Sequence, residues 1–219
     1  MHRLLTELHR LFHAPDAGGT RALRLEVAGP ADWEALGAVW RGVQADLALP
    51  APGIAVNGRD GMQLWFSLQQ PVSRARGADF LARLQARYLP GLAPARLRLG
   101  VGGELPPVPA QDAASGNWSA FVAPDLAPVF VETPWLDIPP GEDGQAELLA
   151  RLDSIAPAAF DAALQGLAPA APAAERPPSP GQLPGTDIDP RRFLQQVLND
   201  EAAPLALRVE AAKALLHRG

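Results

Sequence analysis

Apolar residues first recur at helical spacing, with Leu4, Leu5, Leu8, Leu11 and Phe12 on one side of an amphipathic N-terminal helix. The loop "APDAGGT" ends that pattern, and from Ala22 to Ala28 the period becomes two. Leu23, Leu25 and Val27 point one way and Arg24 and Glu26 the other, which predicts a strand with one buried face. Gly29-Pro30 opens the next helix, with Asp32 and Glu34 in its first turn, where acids suit the helix dipole. Its core stripe is Trp33, Leu36, Val39, Trp40, Val43 and Leu47, and "LPAPG" ends it. A short strand from Ile54 to Val56 leads into the loop "NGRDG" and a strand from Met62 to Leu68, where Gln63, Trp65 and Ser67 oppose Leu64 and Phe66.

After Pro71 a helix is expected from about Ala78 to Leu89, burying Phe80, Leu81, Leu84 and Tyr88. Ala95 to Val101 alternates again, with Leu97, Leu99 and Val101 opposite Arg96 and Arg98. Helices interleaved with a hairpin predict an α+β fold: a mixed or antiparallel sheet with helices on one face. Gly102 to Pro140 is rich in Pro and Gly yet carries Trp118, Phe121, Phe130 and Trp135, so it reads as irregular structure wrapped onto the core rather than as disorder. Two short helices are expected near Gln145 to Leu152 and Ala158 to Leu167. The run "APAAPAAERPPSPGQLPG" has the composition of an exposed linker. Beyond it, Asp189-Pro190 is a helix start, with an apolar stripe of Phe193, Leu194, Val197 and Leu198, and a final helix runs from Leu205 to His217. The expected organisation is an α+β domain over residues 1–167, a linker over 168–188 and a helical tail over 189–219. Two helices of that size are too small to be stable alone, so the tail is expected to dock on its own domain, a second copy or a protein partner.

A net charge of −5 argues against a surface built to blanket a polyanion, although a local basic face remains compatible with it. The absence of cysteine removes disulfides, thiol nucleophiles and cysteine metal sites. His2, Arg3, Glu7, His9 and Arg10 interrupt any signal-type apolar core, and no apolar run approaches the roughly 20 residues of a membrane span. A cytoplasmic protein with no membrane partner is the expectation.

Chemistry-bearing residues are sparse. His9 and His13 stand four apart on the first helix, a chelating spacing, but lack a third ligand at useful spacing, so no metal site is expected. The loop "NGRDG" could cradle a phosphate on its backbone N–H groups, yet it precedes a strand rather than a helix, and Asn-Gly is a leading hairpin signal. Arg76, Arg83 and Arg87 share one helix face and are candidates for nucleic-acid phosphates, against the alternative that they pair with acids elsewhere. Arg24, Glu26, Gln63 and Trp65 lie on the polar sides of their strands. With Asn57 and Arg59 of the loop they form the candidate ligand-binding set on an open sheet face, with Trp65 expected to be exposed.

The run from Leu23 to Val72 resembles the small catalytic domain of archaeo-eukaryotic primases (primase-polymerases). In that superfamily a strand ends in Asp-x-Asp, a helix follows, and a glycine-bearing loop leads into a strand with a histidine. Here "LRLEVAG", "ADWEALGAVWRGVQADLALPAPGIAV" and "NGRDGMQLWFSLQQPV" take those places. Glu26 stands where the first metal-binding Asp would be, Ala28 where the second would be, and Gln63 where the phosphate-contacting His would be, while "RLRLGVGG" offers no later acid. Two-metal phosphoryl transfer needs several carboxylates holding cations about 4 Å apart, and glutamine cannot replace an imidazolium beside a triphosphate. The resemblance therefore implies a catalytically degenerate primase-like protein with no catalytic residue and no cofactor. Such a protein would bind single-stranded DNA or a nucleotide as an accessory in DNA replication or mobile-element biology. The rival expectation is a protein-interaction scaffold whose helical tail recruits a partner or a second copy. The tail stretch "DPRRFLQQVLNDEAAPLALRVEAAKALL" is similar to helices of phage terminase small subunits.

Overall fold

The computed structural model describes residues 3–14, 19–102 and 105–167; the expected linker and helical tail lie outside the described residues. Among the described residues, five α-helices, α1 (Arg3–Phe12), α2 (Trp33–Ala45), α3 (Arg74–Tyr88), α4 (Glu142–Ala150) and α5 (Pro157–Gly166), accompany five strands. The strands are β1 (Thr20–Ala28), β2 (Gly53–Val56), β3 (Gly61–Val72), β4 (Leu97–Val101) and β5 (Ala120–Val122). They form one sheet in the order β4-β1-β3-β2-β5, antiparallel at every pairing. From β1 to β4 the chain runs β-α-β-β-α-β with β1 and β3 central, the split βαβ arrangement of ferredoxin-like folds. The α+β class is the one the hydrophobic pattern predicts, and of the mixed and antiparallel alternatives the sheet takes the antiparallel one.

Register divides the sheet into two faces. Leu25 pairs with Leu64 and Leu99, so Leu23, Leu25, Val27, Leu64 and Phe66 share one face with Ile54 and Val56. That face is buried with Leu36, Val39 and Val43 of α2, Phe80, Leu81 and Leu84 of α3, and Phe160 and Ala163 of α5. Gly42 of α2 permits the close approach of α3: a Cβ there would come 2.3 Å from the Tyr88 ring. Helices cover the second face as well. Ala55, Trp65 and Phe121 pack with Leu4, Leu8, Leu11 and Phe12 of α1 and with Leu148 and Leu149 of α4. The apolar stripe of α1 requires a partner, and this face supplies one.

Side chains fasten α1 by its C-terminal carbonyls, the acceptors a helix cannot satisfy internally. Arg21 donates to Arg10 O at 2.8 Å and to His13 O at 3.2 Å, and the Ser67 hydroxyl donates to Leu11 O at 2.6 Å. Arg10 reaches the other way, donating to Leu149 O at 2.9 Å and Leu152 O at 3.1 Å at the end of α4.

Caps set two helix starts differently from the apolar stripes. α2 begins at Trp33 because Asp32 is its N-cap, accepting from Ala35 N at 2.9 Å, so Gly29-Pro30 precedes the helix. α3 begins at Arg74, before the first apolar repeat, because Ser73 accepts from Arg76 N. Within the irregular stretch, β5 joins the sheet beside β2, and Trp118 bridges to Gln111 and Leu136. The Gln145 side chain pairs with both polar groups of Phe121 at 2.8 and 2.9 Å, completing the outer edge of β5 as a strand would.

Candidate functional site

The second face of the sheet brings the predicted site residues together around one carboxylate. Glu26 pairs across the sheet with Gln63 on β3 and with Arg98 on β4. Four donors occupy its two oxygens. Oε1 accepts from Arg98 Nη1 at 2.9 Å and Asn57 Nδ2 at 3.0 Å, and Oε2 accepts from Gln63 Nε2 at 3.1 Å, with Arg24 Nη1 at 3.2 Å. Gln63 Oε1 in turn accepts from Trp65 Nε1 at 2.8 Å. Glu26 is 2% exposed and Gln63 1%, so the carboxylate is buried, paired and fully hydrogen-bonded. Burial lowers the pKa of the Arg24 guanidinium from its ordinary value, with Glu26 acting against that and Arg98 adding to it. Arg24 Nε finds no hydrogen-bond partner among the described residues.

The face is not open at Trp65, contrary to the exposure its polar neighbours suggest. The indole is 5% exposed, edge-on to Phe12 at 5.3 Å and to Phe121 at 5.9 Å between ring centroids. Alternation along β3 gives the shared face of Gln63 and Trp65; it carries no information that α1 and α4 will lie on that face.

The glycine-bearing loop is filled by its own asparagine. Asn57 Oδ1 accepts from the backbone N–H groups of Arg59, Asp60 and Gly61 at 2.8, 3.0 and 3.0 Å, the donors a bound phosphate would need. Asn57 Nδ2 donates to Asp60 as well as Glu26, so one side chain ties the turn to the carboxylate. Gly58 has φ +82, a left-handed conformation that favours glycine. Arg59 pairs with Asp112, whose carboxyl is held down at about 2, chiefly by the Ser115 backbone N–H, with Arg59 and further donors from Ser115 and Ala114 assisting.

The candidate arginines Arg76, Arg83 and Arg87 of α3 are engaged within the chain. Arg76 pairs with Asp161 of α5, and its guanidinium lies 5.5 Å from the centroid of the Phe160 ring. Arg83 bonds Asp79 at 2.9 Å and Leu164 O at 3.2 Å. Arg87 bonds Gly166 O at 3.1 Å and Asp46 at 3.3 Å. They hold α5 by its side chains and its C-terminal carbonyls. His9 and His13 stack at 4.4 Å, and among the described residues no group of three His, Asp or Glu side chains is placed to hold a metal.

Arg98 is the member of the network that sequence reasoning left out of the site. Its alternation with Leu97 was visible, but only the pairing of β4 with β1 puts it on the face of Glu26. The residues that close the face, Leu8, Phe12, Leu105 and Val108, come from distant segments whose packing no local pattern specifies.

Comparison with protein-family models, with curated proteins and with solved structures returns no match for this chain. Among the described residues no helix is long and apolar enough to cross a membrane.

Proposed function

We propose that this chain is a catalytically degenerate primase-like protein that binds single-stranded nucleic acid or a nucleotide without turning it over. The observation that carries the reading is the pair of guanidinium groups, Arg24 and Arg98, on the one carboxylate where the resemblance expects metal-binding acids. A divalent cation in such a site would balance phosphate charge; here arginines occupy the oxygens a cation would need. Arg98 is 52% exposed and Arg59 61% by side chain, so cationic groups border the network on its solvent side. A role in DNA replication or mobile-element biology follows from the resemblance alone.

Fluorescence anisotropy with a labelled oligothymidine tests the reading. Binding is expected at low salt, to weaken steeply as salt rises, and to fall further in an Arg59→Glu/Arg98→Glu variant. Template-dependent extension with Mg²⁺ or Mn²⁺ that disappears in Glu26→Gln would overturn the loss of catalysis.

The second reading, an interaction scaffold, is favoured by the engagement of Arg76, Arg83 and Arg87 with α5 and Asp46, which removes the most regular basic face from ready contact with phosphates. Exposed Leu126, Val129 and Ile138 add apolar surface on the described domain. Undetectable binding to DNA and RNA at low salt would favour this reading.

A further inference from the structure

An apolar groove of about 450 Å³ lies between α4 and the segment from Phe121 to Leu136. Phe121, Val122, Leu126, Phe130, Leu136 and Leu148 give it apolar walls. A second cavity of about 260 Å³ shares Phe121, Val122 and Leu148 with it and extends the apolar surface to Pro52 and Ile54. Leu126 is 50% exposed, Val129 68% and Ile138 72%. Three of the five exposed large hydrophobic residues among the described ones thus fall in the single connection between β5 and α4.

The sheet edge beside this groove has little backbone to offer a partner. Gln145 takes both polar groups of Phe121. The Ser119 N–H donates to Ala110 O, and Ala123 O accepts from Leu126 and Ala127. An added strand would find no free ladder there, so a partner must be held by side chains, as an amphipathic helix is when its apolar face lies in a groove. Gly144 of α4 lines the groove, and a Cβ on it would meet nothing within 4 Å. Glycine weakens a helix relative to residues with side chains, and no described atom stands close enough to require it. Its bareness leaves room for the close approach of another backbone.

Charge selects the partner. Between Arg98 and Arg151 the sequence has no Lys, Arg or His. The part of it that walls the groove carries Asp125, Glu132, Asp137, Glu142, Asp143 and Glu147, all exposed. Arg151 is the only cation in the described lining of either cavity, and it pairs with Glu147.

We propose that this groove binds a basic amphipathic helix of a protein partner. The apolar stripe of that helix lies on Leu126, Phe130 and Leu148, and its Lys and Arg side chains stand among the surrounding carboxylates. The proposal rests on the interaction-scaffold reading and puts recruitment on the described domain rather than on the tail. Apolar anchors supply the affinity, while the opposed charges supply specificity and speed of encounter.

Fluorescence anisotropy with the full chain tests the groove against a labelled model helix of leucine and lysine, about 15 residues long with its leucines on one face. Saturable one-to-one binding is expected. A scrambled peptide of the same composition, and one with glutamate for lysine, should each bind about tenfold weaker or worse. Gly144→Leu puts a side chain into open groove, so the melting temperature should not fall while binding weakens about tenfold or more. Leu126→Asp should weaken binding as well; should it fail to fold, Gly144→Leu decides alone. Asp125→Lys/Glu132→Lys should weaken binding at low salt, and the difference should narrow as salt rises. No saturable binding, equal binding of either control peptide, or indifference to Gly144→Leu would overturn the proposal. Self-association of the wild-type chain that Gly144→Leu abolishes would also overturn it, giving the groove to a second copy. Binding that survives Gly144→Leu but is lost in Phe193→Asp/Leu194→Asp would remove this surface and keep the scaffold reading, with the tail as the recruiting element. No peptide binding, together with salt-sensitive binding of oligothymidine, would remove both.

Discussion

Gln63 donates its amide N–H to Glu26 Oε2 across 3.1 Å, from the position directly opposite on the neighbouring strand. The same amide accepts from Trp65 Nε1, so an uncharged side chain links a buried carboxylate to a buried indole. With Arg24, Arg98 and Asn57 also on Glu26, removal of the carboxylate strands a guanidinium that is only 12% exposed by side chain. Glu26→Ala should therefore cost about 3–5 kcal/mol of unfolding free energy in urea, the penalty of leaving a buried charge without its partner. The double variant Arg24→Met/Glu26→Leu should cost less than Glu26→Leu alone, because it removes both charges together. Additive losses would mean that the two residues do not act as a pair.

Much of this arrangement could be read from the chain before folding. Period-two alternation places Glu26 and Gln63 on the polar sides of their strands, and the Asn-Gly turn fixes how β2 meets β3. The burial of that side could not be read, since it depends on α1 crossing back over the sheet, where Arg10 reaches the Leu149 carbonyl and Arg21 and Ser67 hold the carbonyls of Arg10 and Leu11. All three contacts are side chain to backbone, and such bonds leave no periodic trace. The arginine face of α3 shows the same limit: its spacing was legible, but its partners on α5 were not.

Asn57 is the residue least replaceable by its charged analogue. Its oxygen accepts three backbone N–H groups, a role aspartate can fill, but its nitrogen donates to Glu26 and Asp60, which aspartate would repel. Asn57→Asp should destabilise the domain by about 1–3 kcal/mol, the cost of leaving buried polar groups without partners. Denaturant midpoints should also converge with wild type as the pH falls into the carboxylate range. A variant as stable as wild type at neutral pH would show that the turn does not depend on those two donors.

Arg76, Arg83 and Arg87 make a separable test of clamp against phosphate binding. Exposed ion pairs contribute about 0–1 kcal/mol each, so single alanine variants should barely move the melting temperature. The triple glutamate variant should speed amide exchange in α5, because Asp161 would be repelled and the carbonyls of Leu164 and Gly166 would lose their donors. Unchanged exchange across Pro157–Gly166 would refute the clamp. Loss of oligonucleotide binding in the same variant, with exchange unchanged, would restore the arginines as a phosphate face.

Tyr88 is the only tyrosine of the chain, so its ionisation can be followed by absorbance without assignment. Burial, and next the hydrogen bond from its hydroxyl to Asp46 at 3.0 Å, push its pKa up from 10.0 to about 12. A raised folded pKa means the neutral phenol is favoured by the native state. The stability it contributes is complete below pH 10, the unfolded value, and is lost as the pH rises from 10 towards about 12. Tyr88→Phe should abolish that part of the alkaline loss. Because burial is the larger cause, the two ways of lowering the midpoint should rank in order. Asp46→Asn removes the charged acceptor but keeps the ring against α2, so the midpoint should fall part of the way towards 10.0. Gly42→Ala places a methyl where the ring lies, 2.3 Å from Tyr88 Cε1, and must displace it towards solvent. The midpoint should then fall further than in Asp46→Asn. The opposite ranking would mean that the Asp46 carboxylate, rather than the contact with Gly42, governs the phenol.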